Sequence, residues 1–504
     1  MLSRGALGSV LVLVGGLVTQ ALPGTSPVAE APLLEPLREA QAGRMAGLVV
    51  VVAGLALLGS AWLRLLTRTH PDTGLPVAVR QRQVHAAAAA WSLPLLVAPP
   101  LFSRDGWSYA AQGALTHLGL SPYVWTPSIL DGQIREAVDP IWWHTPAPYG
   151  PLPLAWGSGI AAITDNPWMM VVGHRLLALL GLIVLAWAVP RLARAGGADP
   201  ARAAAIALAS PLTIAHGVGG LHNDLAMAAL MAAALALALD RWWLLGAVLA
   251  GTAAAVKLPG GLVGIGVALV SLPVAASLLP RMRRLATVAV VAVGVLFGLG
   301  VVVGVGHGWV DALGTPAAVP TPLSLTTQLG LLTGQTSVVR GLGLALVAGG
   351  IVWVALRGRT GDAASSVRDM AILSTALVVL SPAVREWYLL WPLPFLAAVA
   401  WRRPIEQLVR DLALVLGIAA PLDSSLRGAP AEIVVVVALV VLTVVRLRTQ
   451  DVSREARPSR ASHPVRGWRG GGGRRDGVPA TDDNEVQTRA GAARSRPRPP
   501  STRP

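Results

Sequence analysis

The sequence predicts an all-α, polytopic transmembrane helical bundle of about 14 helices, and three observations carry that reading. Only 13% of the 504 residues are charged, about half the share of a soluble domain. The mean hydropathy is +0.60, and apolar windows of helical length recur along almost the whole chain. The net charge of +15 is dispersed as short basic clusters between those windows. That is the pattern of cytoplasmic loops and membrane-surface tails rather than of a nucleic-acid-binding face.

In order, the windows fall at about 5–22, 45–66, 86–102, 168–190, 202–216, 222–240, 242–256, 259–279, 285–306, 338–357, 368–383, 386–401, 405–420 and 430–447. A bilayer core about 30 Å thick takes ~20 apolar residues, fewer where flanking residues snorkel or the bilayer thins. The first window has the early Arg, apolar centre and small residues of a signal peptide, but its length favours a retained helix. A further window at 150–163, rich in Pro and Gly, is read as dipping in or lying at the outer surface. Orientation decides this. If it does not span, clusters such as Arg80/Arg82, Arg191/Arg194, Arg281/Arg283/Arg284 and Arg402/Arg403 fall inside. The thinner set of Arg38, Arg44, Arg104, Arg135, Lys257, Arg340, Arg385 and Arg427 then lies outside, as the positive-inside rule requires. Residues 1–450 thus form the membrane domain, with a first external loop at 103–167. Residues 451–504, with Arg throughout and almost no aliphatic side chains, read as a disordered cytoplasmic tail attracted to anionic lipid.

Polar residues concentrate at the outer boundary. In FSRDGWSYAAQG (102–113), a helix places Asp105, Ser108, Tyr109, Gln112 and Thr116 on one stripe, with Trp107, Ala110, Ala114 and Leu118 opposite. This reads as an interfacial amphipathic helix with its apolar side on the bilayer. Asp105 either caps it, with Arg104 anchoring to headgroups, or faces an external cavity as a reactive carboxylate. DPIWWHTPAPYGPL (139–152) is stiffened by proline. Asp139, Trp142, Trp143, His144 and Tyr149 there form either a membrane-interface belt or, favoured by their density, a sugar-binding surface. HGVGGLHND (216–224) puts His222, Asn223 and Asp224 at a helix start, as a cap or as an anion-binding, substrate-contacting cluster. The cluster lacks matched spacing elsewhere, so it is weak evidence for a metal. Lys257 is the sole lysine; it either snorkels or supplies a compact charge for phosphate. Arg385 and Glu386 either form a local interfacial pair, or Arg385 contacts a phosphate. With no cysteine, thiol catalysis and thiolate metal sites are excluded. No dinucleotide or nucleotide-phosphate loop is present.

In that order, SRDGWSYAAQG, SPY, DPIWWHTPAPYGPL, HGVGGLHND and KLPGG resemble the actinobacterial polyprenol-phosphomannose-dependent α-1,6-mannosyltransferases, over about residues 45–447. The motifs depart from that family at Gly106-Trp107. The resemblance implies a GT-C glycosyltransferase of lipomannan and lipoarabinomannan synthesis. Its donor is polyprenyl-phosphate mannose, its acceptor a lipid-linked mannan, and its active site faces outward. Carried onto this chain, the catalytic aspartate is Asp105, with Asp224 in reserve. Substrate contacts are expected from Arg104, Tyr109, Gln112, Asp139, Trp143, His144, Tyr149, His222, Asn223, Lys257, Arg385 and Glu386. No cofactor is required, because the lipid-linked donor already carries an activated sugar; a divalent metal stays open. The partners are these two lipid-linked substrates and membrane lipid, not nucleic acid. The rival readings are an arabinofuranosyltransferase using a lipid-linked pentose and a polytopic transporter; the absence of an internal repeat weighs against the second.

Overall fold

Small residues let the helices of this chain approach one another closely. The computed structural model describes residues 1–24, 26–315, 321–424 and 430–455. Helices α1 (Leu2–Thr19) and α2 (Gln41–Arg68) cross at paired glycines. A Cβ added to Gly8 would lie 2.6 Å from Gly54 O, and one added to Gly15 would lie 2.7 Å from Gly47 O. Without competition from water, such backbone-to-backbone packing is a main source of helix association in lipid. The buried Trp62 of α2 donates its indole N–H to Ala205 O, 2.9 Å away, tying α2 to α7 (Pro200–Ala209). Between them, α3 (Val77–Ser92) is fixed at its start by Arg80, which grips Asp199 through two bonds of 2.8 and 2.9 Å.

Further helices, besides the short ones at Glu35–Glu39, Gly132–Ala137 and Pro421–Ser424, are α4 (Gly106–His117), α5 (Pro151–Ala161), α6 (Pro167–Gly196), α8 (Asn223–Leu239), α9 (Trp243–Val256) and α10 (Val263–Val270). They continue as α11 (Leu278–Val302), α12 (Leu325–Thr333), α13 (Thr336–Arg357), α14 (Ala363–Leu380), α15 (Leu393–Ala398), α16 (Arg403–Ala419) and α17 (Pro430–Glu455). No strand occurs among the described residues. The chain is an all-α membrane protein. The alanine-rich α8 is buried on nearly every side and forms the centre of the bundle. By contrast α11 and α13 bury only 17% and 11% of their apolar windows within the protein, which leaves those faces to lipid.

Each apolar window falls on helix, but not as 14 unbroken spans. Among the described residues six helices are long and apolar enough to cross by themselves, or seven if the pair Pro200–Ala209 and Thr213–Gly219, bent by 51°, counts as one. The 259–279 window is a 3₁₀ turn, Leu258–Leu262, followed by the short α10. The 386–401 window is a turn, Glu386–Leu390, followed by the six-residue α15. Non-helical backbone at membrane depth survives where protein or a polar cavity satisfies it, and both breaks border the cleft described below. The window at 150–163 is the 11-residue α5, too short to cross.

One expectation is overturned. Helix α4 does not rest its apolar face on the bilayer along its length: Trp107 is 2% exposed, Ala110 0% and Ala114 8%, and of that stripe only Leu118, just past the helix end, is open, at 63%. The Trp107 indole instead donates to Ala21 O at 3.0 Å and meets Trp168 edge-on. On the other side Gly113 lies against Gly157 of α5, where an added Cβ would come within 2.6 Å of backbone. Period alone could not tell protein from lipid as the neighbour of the apolar stripe. The tail expected from 451 lies outside the described residues beyond the end of α17, as does Arg427.

Replacing Gly54 by Val pushes α1 away from α2. Overpacking of this kind costs about 1–3 kcal/mol, and the Cβ of Gly54→Ala already falls 2.6 Å from Gly8 O, so both variants in detergent should lose several degrees of Tm relative to wild type. Wild-type melting of both would refute the close-contact role.

Candidate active site

The loop that carries Asp105 is held before its helix begins. Arg175 of α6 is fully buried and donates to four backbone carbonyls: Leu96 O at 3.2 Å, Pro99 O at 2.6 Å, Val218 O at 3.3 Å and Gly219 O at 3.2 Å. The first two end the 3₁₀ turn after α3, and the others end the π-wound segment Thr213–Gly219. Leu101 N then donates to Gly219 O at 3.1 Å. Two bulky residues next to these contacts have left-handed backbone, Phe102 at φ 57° and Leu221 at φ 46°. Non-glycine residues there are strained and persist only when surrounding structure fixes them. One precedes the SRD motif and the other precedes HND, so a single clamp sets the position of both.

Asp105 occupies the N-cap position of α4, but its side chain makes no cap hydrogen bond. Its backbone N–H is satisfied by Ser103 Oγ at 3.0 Å, and its carbonyl accepts from Ser108 Oγ at 2.7 Å. The carboxylate is therefore free to point into a cleft, where Oδ2 lies 3.5 Å from the Tyr149 hydroxyl. Burial pushes its pKa up to about 6, with Asp423 and Asp224 adding to the rise and Arg385 and Lys257 opposing it. The cleft holds about 660 Å³ of empty space, its open mouth included, and Asp105, Gln112, Tyr149, Lys257 and Arg385 all line it.

The wall facing Asp105 carries two cations, each held by a carboxylate. Lys257 Nζ donates to Asp224 Oδ1 at 3.0 Å, and Trp391 Nε1 donates to the same oxygen at 2.6 Å. The ammonium also sits over Tyr388, 4.2 Å from the ring centroid, and 5.1 Å from that of Trp391. Lys257 therefore does not snorkel; its ammonium is held between the Asp224 carboxylate and two aromatic rings. Arg385 donates to Asp423 Oδ1 at 3.1 Å. Each pair keeps its cation at the cleft wall while offsetting the cost of taking that charge out of water.

The other expected residues take varied places. Tyr109 stands behind Tyr149, with its hydroxyl 3.1 Å away. Arg104 is half-exposed at the rim, 3.6 Å from Asp139, which caps the short turn Pro140–Trp142 through Ile141 N. Trp143 braces that loop, donating to Val138 O at 2.9 Å, while its neighbour Trp142 lines the cleft. His144 is exposed and away from the lining. His222 is buried and stacked on Trp387 at 3.7 Å; its ring nitrogens, like Asn223 Nδ2, find no hydrogen-bond partner among the described residues. Glu386 opens the turn Glu386–Leu390 without lining the cleft. Asp224 does not cap α8; its carboxylate is committed to Lys257 and Trp391. Among the described residues no group of His, Asp or Glu is arranged to hold a metal ion. Sequence reasoning missed Arg175, Trp387, Trp391 and Asp423. The dense aromatic run REWYLLW was a usable signal for two of them; no local pattern marked Arg175.

The N-terminal domain model of the α-(1→6)-mannopyranosyltransferase family matches residues 2–273, and a C-terminal domain model named MptB matches residues 315–449. A relative from Mycolicibacterium smegmatis is 30% identical, covering 88% of this chain and 86% of its own. α-(1→6)-Mannopyranosyltransferase A of Mycobacterium tuberculosis is 31% identical, with 82% of each chain covered. α-(1→6)-Mannopyranosyltransferase B of Corynebacterium glutamicum is 28% identical, over 79% of this chain and 72% of that one. No solved structure matches. The chain belongs to the α-(1→6)-mannopyranosyltransferase family and is a mannosyltransferase.

Arg175→Leu takes a donor from four carbonyls; Val218 O and Gly219 O keep their bonds from Leu221 N and Leu101 N, while Leu96 O and Pro99 O lose the guanidinium, at about 1–3 kcal/mol for each that stays unpaired. The variant should unfold at lower temperature and leave the segment 96–105 protected less well against hydrogen exchange. Unchanged protection there would mean the loop is held by something else.

Proposed function

We propose that this family member transfers mannose from polyprenyl-phosphate mannose to a lipid-linked mannan, forming an α-1,6 linkage with inversion. The observation that carries the proposal is a half-buried carboxylate, free of any capping role, facing two paired cations across a cleft. An inverting transfer needs one base and charge stabilisation for one leaving group, and these residues can supply both.

In this mechanism Asp105 accepts the proton of the acceptor mannose 6-hydroxyl as that oxygen attacks the anomeric carbon. The bond from that carbon to the phosphate oxygen breaks, and its electron pair leaves with polyprenyl phosphate. Arg385 and Lys257 lie where charge develops on the departing oxygen and offset it from fixed positions. Asp224 serves as the partner of Lys257 rather than as a second base, because its Oδ1 is already shared by Lys257 and Trp391. The aromatic and proline-rich loop wall at Trp142, Pro146 and Pro148 suits the faces of a sugar ring. The distribution of the basic clusters supports an outer position for this end of the helices and an inner one for the tail, so that both lipid-linked substrates would enter from the outer leaflet. The names of the relatives support mannose over arabinose as the sugar.

Asp105→Asn should lower transfer from labelled polyprenyl-phosphate mannose by about a hundredfold or more, with membrane insertion unchanged. A base must be ionised, so wild-type rates should fall as the pH drops through about 6. Full activity in the Asn variant would remove Asp105 from the mechanism. Lys257→Glu should raise the donor KM far more than the acceptor KM; equal rises would argue against a phosphate contact.

A further inference from the structure

Tyr149 lies between Asp105 and Lys257 in the cleft. Its hydroxyl lies 3.1 Å from that of Tyr109 and 3.5 Å from Asp105 Oδ2. The two tyrosine rings meet edge-on at 86°, and Lys257 Nζ lies 5.9 Å from the Tyr149 centroid. The backbone here is fixed. Tyr123 donates its hydroxyl to Tyr149 O at 2.8 Å, and Gly150 N donates to Val256 O at 3.0 Å. A Cβ at Gly150 would fall 2.3 Å from Ala255 O, so only glycine lets the loop lie against the end of α9.

An ionised carboxylate can only accept. Tyr149 must therefore donate to Asp105, and its oxygen then accepts from Tyr109. Two hydroxyls in series polarise one another in the same direction, and the second is buried where water cannot replace it. We infer that Tyr149 is a positioning residue for Asp105: with Tyr109 behind it, it holds the carboxylate in one orientation toward the acceptor hydroxyl. This role differs from a sugar contact by Tyr149, and it rests on Asp105 being the base of the proposed transfer. The charged groups facing Asp105 are Arg385, Asp423, Lys257 and Asp224, and the Tyr388 hydroxyl stands near them. Arg385 and Lys257 favour the ionised form, and Asp423 and Asp224 oppose it. A hydrogen bond donated to the carboxylate adds to the first pair, so removing it moves the titration upward.

The test is a pH series with the full-length protein in lipid nanodiscs, polyprenyl-phosphate mannose and a short α-mannoside. Wild type, Tyr149→Phe, Tyr109→Phe, the double variant and Asp105→Asn are compared. Tyr149→Phe should lower kcat about tenfold and raise the acid limb by about half a pH unit. Both KM values should stay within about twofold, and the double variant should be little worse than Tyr149→Phe, as expected for residues acting through one chain. An unmoved acid limb with a raised acceptor KM makes Tyr149 a substrate contact and overturns the inference alone. So does a fall in Tm with every kinetic constant declining together, which marks a scaffold role. If Asp105→Asn keeps the wild-type rate and acid limb, the assignment of the base itself fails.

Discussion

The buried guanidinium of Arg175 is the constraint on which the site depends, because it sits where two stretches of chain leave helical geometry. Backbone carbonyls released by a broken helix need donors, and inside a bilayer-facing bundle water does not supply them. One planar fork with five N–H groups can serve several carbonyls at once. Here it joins the turn after α3 to the π-wound segment before α8. Both the SRD and HND motifs follow within a few residues, through Phe102 and Leu221 in strained conformations. The clamp thus converts two local breaks into one rigid frame.

Within that frame, charge is arranged so that one carboxylate stays uncommitted. Asp224 and Asp423 each hold a cation, and Asp139 lies by Arg104 at the rim. Asp105 alone among these has no basic side chain within ion-pair distance, only a tyrosine hydroxyl. Its raised pKa follows from burial without a matched countercharge. A carboxylate of that kind is a better proton acceptor than a fully paired one, since pairing lowers basicity. The cations remain near enough to act on a departing phosphate yet are not left alone in a low-dielectric wall.

The packing that delivers these groups relies on absent side chains. Glycines at the α1–α2 and α4–α5 crossings bring backbones together, and the alanine-rich α8 lies among its neighbours on nearly every side. Because α4 is enclosed by protein, its polar stripe can face a cleft while its apolar stripe faces Trp168 and the segment at Ala21. The same enclosure explains why α4 could not be distinguished from a surface helix by period alone.

The sequence by itself determined the all-α membrane class, the positions of the apolar helices and the motifs in which Asp105, Tyr149, Lys257 and Arg385 are found. Hydropathy and composition are local quantities, and a long apolar run with few charges has few other solutions. Only the tertiary structure decided that Asp105 leaves its cap position unused, that Lys257 pairs with Asp224, that Trp142 rather than Trp143 lines the cleft, and that Arg175 joins the two motifs. Those outcomes link residues as far apart in sequence as Asp224 and Trp391. No local period encodes such pairs, because each is fixed by which helices pack together and by the need to satisfy every buried polar group.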